Sequence, residues 1–421
     1  MLNISSQKYR IAFVILSCCV VLPFRIQAEP QPILTLDKAI ERTLAQNPKL
    51  YQFTLVRQSI LAQRETSELS PGFMLGLDVE NAEGSGAMKG MDAAEVTLSL
   101  SSVIELGDKR TSRITVVDAS MGVFELTRQA QTLDVLGELT SAFIRSLSTQ
   151  EMLNLSIEAV KLSEALYKKV RKRAQRGAAS DAEVMRARAM LTQARLQHSN
   201  ILKKLERQKI ALSTYWGETQ PTFSNLQGDL FAFGQEFAFD ALYEKVKKSP
   251  AIEVFASEKR LKNAELRLAK SQSSADLSWQ FGVRRFEETG DSALTFGLSI
   301  PLFSESRNRG EVKSALAKRN AVEFKRIDTL LSLHDQLFKA YSLRQQNMDA
   351  YRQLKNSVIP DLEQALTLTR AAYVRGRLKY QDWIAAQQEL LSAKQQMIES
   401  ASAALLNQAI IEQLTAEPLT D

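Results

Sequence analysis

Side chains that could perform chemistry are scarce in this chain of 421 residues. The two histidines, His198 and His334, stand alone among charged residues, and we interpret both as solvated surface residues. Both cysteines, Cys18 and Cys19, fall within the first 28 residues. No motif places a nucleophile, a second metal ligand or a glycine-rich phosphate loop beside any of them. The sequence therefore predicts no enzyme, no catalytic residue, no cofactor and no metal site.

The N-terminal residues 1–28 have the pattern of a secretory signal peptide. Lys8 and Arg10 precede the apolar run Ile11–Leu22, which is too short to span a bilayer, and Ala28 offers a cleavage site. Lipid attachment at Cys18 stays open as an alternative. Cleavage would lower the formal net charge from +6 to +3, because it removes three basic residues and no acid. Such a small surplus does not indicate a nucleic-acid partner.

The remainder of the chain presents the same order of features twice, about 200 residues apart. Each copy has a helix, two strands and a long helical hairpin. We therefore predict a first structural repeat over 29–220, a linker over 221–240 and a second repeat over 241–421. A repeat of this length indicates a duplicated half of one object instead of a stacked array.

Four segments alternate apolar with polar or small residues. We predict strands at 73–81, 94–101, 277–286 and 293–301. The pattern fits a sheet packed on a helix, but the length and the polar alternate face favour a membrane barrel. Four strands cannot close a barrel, so a membrane-spanning version must be an oligomer. Two copies would supply eight strands around an interior filled by side chains, whereas three copies would supply twelve and begin to leave a channel.

Very long helices follow each strand pair. The stretch from Asp108 to Lys172 contains no proline and would extend roughly 100 Å as a helix. Its counterpart, from Arg307 to Tyr373, contains Pro360, which should bend it or break its hydrogen bonds locally. The predicted fold is thus mainly α with a small β part, built on long antiparallel coiled-coil helices.

Each long arm ends in a turn of the same composition. Arg176-Gly177 and Arg375-Gly376 place a glycine where a helix C-terminus prefers a left-handed residue, and a new helix begins a few positions later. These turns predict two matched helical hairpins with tips near 177 and 376.

Several of these motifs together resemble the TolC outer-membrane efflux family. The resemblance rests on Leu36–Ile40 with Asn47-Pro48, on the duplicated strand pair and on the two Arg-Gly turns. Within that family, residues 77–81 and 105–110 resemble the heavy-metal branch typified by the cobalt-zinc-cadmium system.

The resemblance implies a homotrimer in the outer membrane of a Gram-negative bacterium, with a twelve-stranded barrel in the lipid and a twelve-helix tunnel in the periplasm. It implies a passive exit duct for heavy-metal cations, which meets a periplasmic adaptor (membrane fusion protein) and an inner-membrane pump of the resistance-nodulation-division type. Two alternatives stay open: a duct of the same fold for drugs, organic compounds or type I secretion, and a periplasmic coiled-coil adaptor or structural protein.

The resemblance also implies roles for residues at the tips. Family members close the tunnel with aspartate rings; the first corresponds to Asp382 here, whereas the second falls on Ala385, so one ring is missing. Glu183 is the acidic residue after the first turn. Alternatively, each acid could simply stabilise the N-terminal turn of its own helix through the helix dipole. The candidate adaptor contacts are Arg176, Gly177, Ser180, Arg375, Gly376 and Leu378.

Overall fold

The computed structural model describes residues 33–418. The predicted signal peptide and the alternative lipid attachment at Cys18 lie outside the described residues. Within them the fold is mainly helical with a small sheet, as the sequence predicts.

The first half runs from a two-residue strand to a long helical hairpin. Its elements are β1 (Leu34–Thr35), α1 (Leu36–Gln46), α2 (Pro48–Glu68), β2 (Met74–Glu80), a short 3-10 turn (Gly86–Met88), β3 (Glu95–Ile104), α3 (Lys109–Ala174) and α4 (Asp181–Ser213).

The single helix predicted to open the first repeat is instead two helices. Asn47 has extended backbone angles, and its side chain accepts hydrogen bonds from the N–H groups of Lys49 (2.9 Å) and Leu50 (3.2 Å). Pro48 then takes the first helical position, where its missing N–H costs nothing. The Asn-Pro pair is therefore a cap that divides α1 from α2.

The second half repeats this order with one interruption. Its elements are a 3-10 turn (Thr214–Trp216), β4 (Leu226–Gln227), α5 (Phe239–Lys247), α6 (Pro250–Ser271), β5 (Leu277–Phe286), β6 (Ser292–Ser299), α7 (Ser304–Gln353), α8 (Ile359–Val374) and α9 (Tyr380–Thr415). A π-helical turn over Leu354–Val358 separates α7 from α8 directly before Pro360. A proline cannot donate a backbone hydrogen bond, so the wider turn is the local break expected there.

The four long strands form one antiparallel sheet in the order β2-β3-β5-β6. In this register Leu77 pairs with Leu98, Leu98 with Val283, and Val283 with Leu294. The apolar residues of all four strands therefore share one face. The sequence missed a second sheet, the two-residue parallel pairing of β1 with β4.

The sheet is shielded on its polar face and open on its apolar face. Thr97 and Ser99 are 3% and 5% exposed, whereas Leu75 and Leu294 are 75% and 72% exposed. A Cβ at Gly282 would lie 2.8 Å from the carbonyl oxygen of Leu98, so only glycine fits there.

The helices pack side by side in two rows that share α3. Next to the sheet the row is α2-α3-α6-α7, and toward the hairpin tips it is α4-α3-α9-α8. Between them, Trp216, Leu139 and Phe143 belong to the largest buried apolar cluster, which the β1-β4 pair covers. None of the helices in residues 33–418 is both long enough and apolar enough to cross a membrane.

Candidate functional site

The two hairpin tips have the same backbone. Gly177 has φ +73° and donates its N–H to Ala174 O at 2.9 Å, and Gly376 has φ +75° and donates to Tyr373 O at 3.0 Å. In both turns the next residue bonds to a carbonyl one step further back. Glycine is required at both positions because a Cβ disfavours this left-handed conformation.

Polar side chains restart the helix after each turn. The Ser180 hydroxyl accepts a hydrogen bond from the Glu183 N–H at 3.3 Å, and the exposed Asp382 carboxylate accepts one from the Lys379 N–H at 2.8 Å. Glu183 and Asp382 both lie in the first turn of their helices, where the helix dipole favours acids. Both predicted aperture residues therefore also have a capping or dipole role.

Arg173 joins the two tips, and the sequence analysis missed it. Its guanidinium donates to Ala178 O in its own turn (3.1 Å) and to Tyr373 O and Val374 O (3.2 Å to the latter) at the end of α8. It also lies 4.5 Å from the centre of the Tyr373 ring. One cation thus neutralises the negative end of α8 and fixes one hairpin to the other.

An aromatic cluster lies under the tips. Tyr373, Tyr380 and Trp383 are at most 3% exposed and pack with Leu166 and Val170 of α3. Neither tyrosine hydroxyl has a hydrogen-bond partner among the described residues. Burial raises the pKa of Tyr380 to about 12, with further contributions from Tyr373 and Glu183. Burial also raises the pKa of Tyr373.

The six predicted adaptor contacts lie on the two turns that Arg173 links. Arg176 and Arg375 are both exposed, and the Nε atom of Arg375 donates to Ala371 O at 3.3 Å. Leu378 is 41% exposed. Gly177, Gly376 and Ser180 serve the turns themselves, as described above. The side chains of two arginines and one leucine of this set are therefore exposed.

A three-helix ion cluster lies behind the tips. The Lys394 ammonium of α9 lies 2.9 Å from a Glu158 oxygen of α3 and 3.0 Å from a Glu363 oxygen of α8. The two carboxylates raise the pKa of Lys394 despite its partial burial, which acts to lower it. The cluster keeps the second hairpin aligned on the first.

The interpretation of the histidines as solvated is wrong. The Nδ1 atom of His198 lies 2.9 Å from the Ser156 hydroxyl, across the α3-α4 contact. His334 packs edge-on against Phe239 and Tyr243, with ring centres 5.3 and 4.8 Å away. Both are half-buried and serve helix packing. In the part of the chain that the structure describes, no three His, Cys, Asp or Glu side chains come together as metal ligands.

The segment 105–110 joins the sheet to α3. The Lys109 ammonium lies 2.6 Å from an Asp276 oxygen just before β5, and Arg113 pairs with Glu105. Partial burial acts to raise the pKa of Asp276, but hydrogen bonds from Lys109 and the Leu106 N–H outweigh it, and the pKa is lowered. This motif therefore fixes the helical arm to the sheet.

Comparison with known proteins agrees with this geometry. The family model described as outer membrane efflux protein matches residues 39–218. This match covers just under half of the chain and supports the resemblance to that efflux family. One relative is the cobalt-zinc-cadmium resistance protein CzcC of Cupriavidus metallidurans, which is 24% identical over 298 residues, or 71% of each chain. Another is the nickel-cobalt-cadmium resistance protein NccC of Alcaligenes xylosoxydans xylosoxydans. It is 24% identical over 256 residues, which cover 59% of this chain and 56% of the relative.

A solved structure shares the fold. The structure of CusC, a protein that forms a transmembrane channel, matches with a TM-score of 0.75 at 16% identity. The match covers 90% of this chain and 91% of CusC. The sequence and structure matches together indicate an outer membrane channel component, whose apolar sheet face meets lipid and whose helices extend into the periplasm. These matches favour the channel over the alternative of a periplasmic adaptor or structural protein.

Proposed function

We propose that three copies of this chain form the exit duct of a tripartite efflux system that exports heavy-metal cations. The duct meets a periplasmic adaptor at the hairpin tips, and an inner-membrane pump of the resistance-nodulation-division type loads it. The observation that carries the proposal is that the outer strands of the sheet and the outer helices of the row beside it lack neighbours on the same two sides of the protein.

The open sides follow from the connectivity. β2 follows α2 along the chain and β6 precedes α7, and these four elements are the outer members of the sheet and of the row next to it. In lipid, an unpaired strand edge costs several kcal/mol for each unsatisfied backbone group. Pairing β2 of one copy with β6 of the next is a head-to-tail contact, which closes into a ring.

The helical edges support the same pairing. α2 exposes Tyr51, Leu55 and Leu61, and α7 exposes Phe324 and Leu331. Burial of these side chains between copies would stabilise the ring, because apolar area removed from water contributes about 25 cal/mol per Å². Three copies would supply twelve strands, enough to leave a channel where eight would be filled by side chains.

The proposed cargo comes from the relatives. Both are resistance proteins named for divalent cations: cobalt and cadmium in each case, with zinc or nickel. A duct that passes these ions need not hold them, which is compatible with the lack of a three-ligand cluster in residues 33–418.

Asp382 and Glu183 are proposed as aperture residues. Three exposed Asp382 carboxylates brought close around an axis would repel anions and favour cations. Asp382→Asn keeps a side-chain acceptor for the Lys379 N–H but removes the charge. In planar bilayers, the potassium-to-chloride permeability ratio should fall in this variant and fall less in Glu183→Gln. An unchanged ratio would leave Asp382 with the capping role alone.

Arg176, Arg375 and Leu378 are the proposed adaptor contacts, held in place by Gly177, Gly376 and Ser180. Charge reversal at Arg176 and Arg375 should weaken binding of the adaptor from the same gene cluster to the purified trimer. Unchanged binding would remove these arginines from the interface and leave them as solvated residues.

Gene deletion tests the proposed function as a whole. The deletion strain should become sensitive to cobalt, zinc, cadmium, nickel, copper or silver salts, and the wild-type gene should restore growth. Sensitivity only to detergents and dyes would move the cargo to organic compounds with the fold unchanged. Native gel migration of the purified protein should correspond to three copies, and a monomer would contradict the proposed ring.

A further inference from the structure

The positive charge of the chain is concentrated on one hairpin. Residues 161–195, around the first tip, contain ten Lys or Arg and three Asp or Glu, a net charge of +7, although the whole chain carries only +6. The matched segment 360–394 contains five basic and four acidic residues, a net charge of +1. The two hairpins share a backbone, so the difference lies in the side chains.

Much of this charge lines one groove between α3 and α4. Tyr167 and the buried Leu191 are among its lining residues, and five exposed cations surround it: Lys168, Arg171, Lys172, Arg188 and Arg195. Only Lys168 forms an ion pair in the part of the chain that the structure describes, at 2.9 Å to Glu164. The groove thus combines an apolar element with five cations and a single acid, Glu164, which pairs with Lys168 and attracts Arg195 at longer range.

Helix stability accounts for only part of this pattern. Arg171 and Lys172 lie in the last turn of α3, where the helix dipole favours cations. Arg188 and Arg195 lie in the N-terminal half of α4, where the dipole gives them no such advantage.

The second hairpin uses the matched positions differently. Arg188 corresponds to the buried Gln387, and Arg195 corresponds to Lys394, whose ammonium is bound by Glu158 and Glu363. Arg171 corresponds to Arg370, whose guanidinium lies 6.0 Å from the Trp383 ring centre. The matched cations Arg370 and Lys394 of the second hairpin are therefore used internally, whereas the exposed cations of the first groove are available.

We propose that the α3-α4 groove binds an acidic, amphipathic helical segment of the periplasmic adaptor, and that the first hairpin carries most of the docking energy. This inference rests on the proposed function and names the chemistry of its partner. A groove between two helices accepts a third helix, whose apolar stripe would meet Tyr167 and Leu191 while its carboxylates meet the cations. The cations cannot usefully face the channel, since five per copy would oppose the passage of metal cations.

The test compares two double charge reversals on α4. Arg188→Glu with Arg195→Glu changes the groove, and Lys204→Glu with Arg207→Glu changes two exposed cations further along the helix that form no ion pair in the described residues. Both alter the net charge equally. The probe is a labelled synthetic helix with leucines on one face and glutamates beside them, together with its glutamine counterpart, titrated against purified wild-type and variant channels.

The wild-type channel should bind the glutamate helix at least about tenfold more tightly than the glutamine helix, and binding should weaken as salt shortens the Debye length below about 8 Å. The groove reversal should remove the preference, and the control should retain it. A neutral Arg188→Gln, Arg195→Gln pair should give an intermediate result, and native migration shows that each variant still assembles. Equal affinity for both peptides, equal loss in both reversals, or a preference for phosphatidylglycerol vesicles over the peptide would overturn the proposal.

Growth on metal salts separates this inference from the proposed function. Retained metal resistance in the groove reversal would overturn the docking groove alone. A wild-type gene that gives no metal resistance, together with intact glutamate-helix binding, would overturn the proposed cargo alone.

Discussion

The two hairpin tips have one backbone and two sets of side chains. Gly177 and Gly376 adopt φ angles within a few degrees of each other, and the hydrogen bonds of the two turns match. The first tip contributes charge, with Arg173 reaching across to its partner. The second contributes buried rings, with Trp383 where the first has Val184. Duplication therefore kept the turn, which the backbone requires, and left the side chains free to take different roles.

The largest expected effect comes from the buried aromatic rings of the second tip. Trp383→Ala removes a ring that packs 5.3 Å from the Tyr373 ring, and large-to-small changes of this kind cost about 3–5 kcal/mol. Amide hydrogen exchange should accelerate in residues 373–390. The matched Val184→Ala should cost only about 1 kcal/mol. Equal exchange in the two variants would mean that the second tip has no special apolar role.

The next effect concerns the bridge between the tips. Arg173→Met keeps an unbranched apolar side chain but loses charge-assisted bonds to three carbonyls, which should weaken the contact between the tips by about 2 kcal/mol. Spin labels at Ala182 and Gln381 should show a broader distance distribution. Arg176→Met is the control, because that arginine is exposed and makes no such bridge. Identical broadening in both variants would contradict the bridging role.

Because the two turns share one backbone conformation, the same substitution at each glycine should have the same effect on stability. Gly177→Ala and Gly376→Ala should each destabilise its turn by about 1 kcal/mol, because alanine disfavours positive φ. No atom lies within 4 Å of an added Cβ at either position, so the cost is conformational. Hydrogen exchange of the turn amides gives both values in one experiment. A difference above about 1 kcal/mol would show that one turn has a further constraint.

The smallest effect at neutral pH is that of Tyr380→Phe. The hydroxyl has no partner among the described residues, so its removal should leave the tip as stable as before or slightly more so. The folded pKa of about 12 exceeds the ordinary value of 10.0, so the folded state retains the proton longer. Stability from this group is complete below pH 10 and is lost as pH rises toward 12. Tyr380→Phe should reduce that loss in a pH series of hydrogen exchange. A pH series that matches the wild type would contradict the shift.

Strand alternation and the glycine turns could be read from local patterns in the sequence. Both depend on a few consecutive side chains, and the sheet and both tips occur where these patterns lie. The cap at Asn47-Pro48 was also readable from the sequence, because an asparagine followed by a proline at the first helical position is a local start signal. The charge excess of residues 161–195 was also readable from the sequence, but averaging charge over the whole chain concealed it.

The sequence by itself determined a mainly helical, duplicated protein with two paired-strand units and two glycine turns, because helix and strand periodicity and positive φ are local properties. Only the tertiary structure decided which remote groups meet. The β1-β4 pairing, the reach of Arg173 to Tyr373 and Val374, and the internal use of Lys394 each join residues far apart in the chain. Such contacts depend on how two helical hairpins are aligned over their full length, and no local pattern specifies that alignment.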